Sequence, residues 1–529
     1  MNADTFRPFE MLNKDARLVA GALAVTEKGI PLIALRVVNP FVPMQAAVLT
    51  RRAGKNRLLR ALNELIDAGY ADHDTDNDLI GLYPPAREAV LNTLGEDERR
   101  ALHDRAYVRL SEAEGDSMFT EAHSETVGNA MEWSIAVYLH AVAIGEQDTA
   151  ARYFLHRLSS RLRSRHMYTM LIDLLLRLFP DRRSDAPPLV GDTALNVRVL
   201  KALGDAYSAL NAIDDAVRAH TLALKVTIDG VWDMMDAGWV MMQESSVTLL
   251  GPCLDGLGLT FLKAGRMAAS LQAFELAHAM AAAVNDRDAL SLATLRLAIL
   301  NVYLGRWDLA DYTLSVFFDM PRYDRPKYWR AEAERVRIEL LYSREAPRDV
   351  ILAALDAADE AARLGENALS ADVLKRMRCE VWMEDGRAEE AVPVLRALAA
   401  RAAKAGTRQN TRGALARALV LTGDVDGAVS LLDAGCDPYS TAVVLHASGE
   451  KAAAGDIMLG LYRDAWADGE PFVRRVELNA AEKLLREWGV PIPALPPFDE
   501  DRRTVPYADR VRALIAQVAK ERSARARDA

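Results

Sequence analysis

The sequence predicts an all-α chain: a solenoid of antiparallel helix pairs, preceded by a small module in which helices flank a short hairpin. Three observations carry this. Ala and Leu dominate a chain that is half hydrophobic and only 7% aromatic, and both are strong helix formers. Small residues recur at a fixed offset from turn glycines over most of the length. Near the N-terminus, "YADHDTDNDLIGLYP" supplies two short arms around a polar turn.

At 529 residues, several domains or a long repeat array are expected. Residues 1–112 form the N-terminal module and 113–186 a first helical-repeat segment. The solenoid runs over 187–488, and 489–529 are a Pro-rich segment with a C-terminal capping helix. A formal net charge of −10 makes a poor nonspecific nucleic-acid binder, because phosphate contact is driven by Lys and Arg. Cys253, Cys379 and Cys436 lie far apart and form no CxxC pair, which fits a reduced compartment with small buried thiols. "MNADTFRPFEML" shows no basic region followed by an apolar core, and no 18 apolar residues run uninterrupted. A soluble cytoplasmic protein is expected.

The N-terminal module reads as follows. Asn13 caps a helix with Leu18, Val19, Ala22 and Leu23 on one face, ended by Gly29. Pro31 opens a second helix, where its missing N–H costs nothing. A third buries Leu58, Leu59, Leu62, Leu65 and Ile66, with Gly69 at its end. The hairpin follows, and Pro84-Pro85 start another helix. The acidic turn "DHDTDND" has oxygen ligands at alternate positions, as a calcium loop does. Asn77 stands where Gly is wanted and Tyr83 where a bidentate Glu is needed, so a solvated turn is expected.

The run "L..L...GY......LYPPAREAV" followed by "GEDERRALHDRAYVRL" closely resembles the winged helix of STAND-class signalling ATPases, which include NLR-like immune sensors. The resemblance covers roughly the first 110 residues. No GxxxxGK loop occurs, Leu49 standing where the first Gly before Gly54-Lys55 belongs. ATP hydrolysis by this chain alone is not expected. Arg51, Arg52, Lys55, Arg57 and Arg60 enter the third helix and suit phosphate and base contact. Asp72, Asp74, Asp76 and Asp78 at the wing oppose it. In the proteins it resembles, this module packs on neighbouring domains. Protein docking is the expectation and DNA binding the alternative.

From about Ala130 one pattern recurs, as in "LKALGDAYSALNAIDDAVRAHTLAL", "LDGLGLTFLKAGRMAASLQAFELAHAM" and "MRCEVWMEDGRAEEAVPVLRAL". A small residue sits in the first helix: Gly204, Gly258, Ala298, Cys379, Ala416 and Ala442. Seven residues later comes the turn, at Asn211, Gly265, Gly305, Gly386, Gly423 and Gly449. Five further on another small residue follows: Ala216, Ser270, Ala310, Ala391, Ala428 and Ala454. Small residues let facing helices approach closely, and the turn needs a left-handed residue. A divergent copy is expected around Arg330 to Leu364. This pattern resembles the tetratricopeptide repeat family.

That resemblance implies a partner along the face lined by the first helix of each pair. The positions it carries over are Arg198, Lys201, Asp205, Asp255, Lys263, Arg376, Glu380, Asn410 and Arg417. Asp205 stands where the carboxylate-clamp subtype needs Asn, which argues against capture of a C-terminal carboxylate. Gly204 and Gly258 are 54 residues apart, and the excess contains Trp232, Met234, Met235, Trp239, Met241 and Met242. That stretch is either solenoid core or an adaptable apolar patch for a partner. Tyr323, Tyr328 and Trp329 interleave with Arg322, Arg325, Lys327 and Arg330, as in single-strand nucleic-acid binders or in an inter-repeat loop. Four prolines within "PIPALPP" end the array, and a helix from Val505 follows to cover its exposed end.

No HExxH, GxSxG or GxGxxG occurs, and no His pairs with Cys or another His at metal-ligand spacing. No cofactor and no catalytic residue are expected. The sequence therefore points to a non-enzymatic interaction scaffold or sensor with a protein partner, in a bacterial-type signalling or defence assembly. A winged-helix DNA-binding regulator is the alternative.

Overall fold

The computed structural model describes residues 7–26, 29–42, 54–76, 78–114, 127–236, 247–320, 327–364, 368–401 and 405–528. Among these residues the fold is all-α apart from one small three-stranded sheet, and the chain forms two compact units, Met1–Ala206 and Tyr207–Ala529.

In the first unit, α1 (Lys14–Ala24) is capped by Asn13, whose side chain accepts from Ala16 N at 2.8 Å. Val19, Ala22 and Leu23 are buried, whereas Leu18 points to solvent, because Ala16 and Ala20 complete the inner face instead. β1 (Ile30–Pro31) leads into α2 (Leu32–Val37), and α3 (Lys55–Asp67) buries Leu58, Leu62 and Leu65. Gly69 turns the chain at φ +80°. β2 (Ala71–Asp74) and β3 (Leu79–Leu82) pair antiparallel, Ala71 opposite Leu82. β1 joins the other edge of β3, Ile30 opposite Ile80, and Ile80 is fully buried. α4 (Pro84–Thr93) and α5 (Glu96–Glu114) follow, and α5 packs on α6 (Val127–Ala143). α7 (Gln147–Tyr153) and α8 (Ser159–Ser164) are joined by a π-helical turn, and α9 (Tyr168–Leu176) and α10 (Thr193–Ala209) come next.

The second unit begins with α11 (Ile213–Asp236) and is built from hairpins. They are α12 (Leu250–Lys263) with α13 (Met267–Val284), α14 (Arg287–Tyr303) with α15 (Trp307–Asp319), and α16 (Lys327–Ser343) with α17 (Arg348–Leu364). Then come α18 (Ala368–Glu384) with α19 (Ala388–Arg401), α20 (Ala405–Leu421) with α21 (Val425–Ser430), and α22 (Pro438–Ser448) with α23 (Lys451–Trp466). These are tetratricopeptide-like repeats, and the small residues serve the expected end. Every one of the twelve named above is buried. A Cβ on Gly258 would run into the Phe274 ring on the facing helix. The turn residues hold positive φ, from +61° at Asn211 to +99° at Gly449.

The divergent copy is the α16–α17 hairpin. Its left-handed turn residue is Glu345 (φ +52°), and buried Ile338 occupies the small-residue position. α13 is the one helix among the described residues long and apolar enough to cross a membrane, and most of it is buried in the core.

The end of the array departs from expectation. After α23 the chain turns back on the start of the unit. Asp468 accepts from Ala268 N at 2.9 Å, capping α13, and Arg474 donates to Leu262 O at 2.9 Å. Phe472 enters a cluster with Met267, Phe274 and Leu300. α24 (Arg475–Glu487) follows, and the proline segment straps over α23, where Trp466 Nε1 donates to Pro496 O. The last helix, α25 (Ala508–Asp528), lies on α13 rather than on the final hairpin. Val505 N donates to Gln272 there, and Arg510 pairs with Asp229 at 2.9 Å.

Candidate recognition groove

The first helices of the hairpins carry charge at fixed places relative to the turn. At three of the turns, Asn211, Glu345 and Gly386, a cation stands ten residues before and a carboxylate six before, so the two lie one helical turn apart and pair. Lys201 holds Asp205 at 2.8 Å in the first unit. In the second, Arg376 holds Glu380 at 2.7 Å, and Arg335 pairs with Glu339. One hairpin later Arg417 takes the carboxylate's place and reaches back to Glu380 at 2.8 Å. Arg335 also binds Glu332 at 2.6 Å. Burial opposes the charge on Glu332, yet the Arg335 hydrogen bond holds its carboxyl below the usual range.

In the second unit Glu339, Arg376, Glu380 and Arg417 line a groove between first helices and α24. A cavity of about 250 Å³ is lined from α14, α16, α18 and α24, with Tyr303, Glu339, Tyr342, Arg376, Glu380 and Glu477 on its walls. A second, of about 610 Å³, runs on between α18, α20, α22 and α24, past Glu384, Arg417, Tyr439 and Lys483. Tyr342 and Glu380 belong to both, so the groove is continuous. Burial pushes the Tyr303 phenol up to about 12. Burial also raises Glu339, which Arg335 only partly offsets, and Glu477, which the charge of Glu339 raises further. Such surroundings penalise uncompensated charge.

The expected partner-facing residues divide. Arg376, Glu380 and Arg417 come together in the groove. Asp255 pairs with Arg296 at 2.9 Å, and Lys263 donates to Ser208 O at 2.9 Å. Asn410 is exposed. Arg198, exposed, lies in the first unit with Lys201 and Asp205. Glu339, Tyr303 and Tyr342 in the groove, and Arg335 beside Glu339, were not expected. The register would have found Arg335 and Glu339, had Glu345 been readable as a turn.

Of the apolar stretch, Trp232 is half-buried on α11, which also carries Met234 and Met235, while Trp239, Met241 and Met242 lie outside the described residues. Among the basic residues of α3, Lys55 and Arg60 are exposed, and Arg51 and Arg52 lie outside the described residues. Arg57 is committed elsewhere: its guanidinium binds Asp15 through two bonds of 2.5 and 2.6 Å and stacks over Phe41. In the Tyr323 to Arg330 segment, Trp329 packs against the cluster of Leu314 and Phe317, and Arg330 lines a separate cavity of about 400 Å³. Residues 321–326 lie outside the described residues. Cys253 and Cys379 are buried free thiols, and burial pushes Cys379 up to about 11, away from reactivity. Among the described residues no group of His, Cys, Asp and Glu is arranged to hold a metal ion.

No protein-family model matches the chain, and no curated protein matches it. Among solved structures it is similar to a Signal Transduction ATPase with Numerous Domains (STAND) protein with a tetratricopeptide repeat sensor from Pyrococcus horikoshii, with a TM-score of 0.36 and 10% identity. The match covers 91% of this chain and 64% of that one, so the chain spans less than two thirds of that structure's length.

Proposed function

We propose that the chain is a non-enzymatic recognition subunit that binds a polypeptide partner in the groove of its second unit. The observation that carries this is the continuity of the groove across the first helices of successive hairpins, with Tyr342 and Glu380 shared by both cavities. A long cleft of mixed apolar and ion-paired walls offers an extended chain many small contacts and no reactive constellation. A photo-crosslinking residue placed at Tyr342 should capture a polypeptide in cells, whereas one at Tyr312, exposed on α15, should not. Equal capture at both positions, or none at Tyr342, overturns the reading.

The first unit supports a place in a signalling assembly. The order helix, strand, helix, helix, strand, strand, with β3 central in the sheet, agrees with the winged-helix resemblance of the sequence. We read it as a protein-docking module. Arg57 is spent on Asp15, and Asp72, Asp74, Asp76 and Asp78 in and beside the hairpin disfavour phosphate.

A further inference from the structure

We propose that the groove seats an arginine side chain from an extended segment of the partner, with its guanidinium between Glu339 and Glu477. This rests on the reading of the groove as a polypeptide site. The charges on the cavity wall do not balance: Glu339, Glu380 and Glu477 face Arg376. Glu380 is already held by Arg376 and by Arg417 from the next hairpin. Glu339 has Arg335 beside it, but that guanidinium is shared with Glu332. Glu477 has no ion pair within 4 Å among the described residues; the nearby Arg474, whose charge offsets part of the burial cost, turns its guanidinium to Leu262 O and Lys263 O instead, so the wall keeps uncompensated carboxylate where α24 faces α16. Charge complementarity therefore selects a cationic occupant and rejects an acidic one.

The apolar walls choose among cations. Tyr303 and Tyr342 line the same cavity with Val302, Ile338 and Val476. Aromatic faces attract a cation and also cover its aliphatic stem. A planar guanidinium presents five donors in a fork that can serve two carboxylates at once, whereas an ammonium is a compact, strongly hydrated point charge. Glu339 and Glu477 are held above the ordinary carboxylate range by burial, and a cation between them relieves both. At about 250 Å³ the cavity has room for one long side chain, and the larger cavity beyond Tyr342 takes the flanking backbone.

The test is selection of a displayed random dodecapeptide library on the full chain. Enriched peptides are then measured by fluorescence anisotropy against wild type, Tyr342→Ala and the Glu339→Gln/Glu477→Gln double variant. The expected result is enrichment of Arg-containing peptides that bind the double variant at least tenfold more weakly. Replacing the peptide's Arg by citrulline should cost wild type a similar factor, a readout that needs no altered protein. Peptides without Arg or Lys whose binding falls with Tyr342→Ala but not with the double variant overturn the arginine assignment and leave the groove standing as a polypeptide site. An empty selection, or peptides that none of these substitutions affects, overturns both.

Discussion

Arg417 donates to Glu380 at 2.8 Å across the step from one hairpin to the next, and the oxygen it reaches also accepts from Arg376 at 2.7 Å. All three side chains are about one-fifth to one-quarter exposed. The shared carboxylate couples two repeats that also share one apolar cluster. Arg417→Ala should destabilise the second unit by about 1–2 kcal/mol, the range for a partly buried charged hydrogen bond. A double-mutant cycle with Glu380→Ala should return a coupling of about 1 kcal/mol that shrinks at high salt. Urea unfolding of the four proteins at two salt concentrations measures it, and additive effects would mean that the pair carries no coupling.

Two glycines inside helices should respond oppositely to the same change. A Cβ on Gly258 has nowhere to go, since the Phe274 ring occupies its place, whereas a Cβ on Gly460 of α23 meets nothing within 4 Å. Gly258→Ala should cost about 1–3 kcal/mol through overpacking. Gly460→Ala should add about 0.5–1 kcal/mol, because alanine loses less backbone freedom in a helix. Opposite shifts in Tm are the expected outcome.

His140 should make the first unit acid-sensitive. Its Nδ1 lies 2.9 Å from His103 Nδ1, and burial, reinforced by His103, pushes its imidazole down to about 3. Unfolded, it titrates near 6.5. Between these values the unfolded chain takes up a proton that the folded chain refuses. The stability is therefore fully present above about 6.5 and is lost as the pH falls toward 3. From pH 7 to pH 5 the loss is about 2 kcal/mol. His140→Gln should flatten that dependence, and denaturant unfolding at the two pH values checks it.

Glu477 should carry the opposite sign. Its carboxyl is raised by burial and by Glu339, so the folded state disfavours its ionised form. Glu477→Gln should therefore stabilise the second unit at pH 7. The gain should vanish as the pH falls below the unfolded carboxyl's value, where both proteins are neutral at this position. A group that weakens the fold but lines a groove is the pattern expected of a binding residue. Thermal melts of both proteins from pH 4 to pH 8 measure this.

Most of the repeat architecture was legible because its signal is local. A small residue, a left-handed turn and a second small residue lie within a dozen positions of one another, and steric demands fix their identity. The α16–α17 hairpin was legible only as a divergent copy without a register, because Ile338 and Glu345 stand in for a small residue and a glycine, and tertiary packing carries the turn without them. With that turn unread, Arg335 and Glu339 had no register, although they repeat the arrangement of Arg376 and Glu380. Tyr303 and Tyr342 lie outside the positions that the repeat resemblance carries over. The path of the C-terminal segment was out of reach for another reason: Asp468 finds Ala268 across 200 residues of chain, and no periodicity encodes such a pairing.

That pairing changes what kind of object the second unit is. Solenoids with open ends behave as one-dimensional stacks, fraying from either tip and tolerating removal of terminal repeats. Here the contacts of Asp468, Phe472 and Arg474 bolt the tail of the stack to its head. Neither tip is free to fray alone, so the hairpins should melt together rather than one by one. Truncation at either extremity would injure the opposite one first.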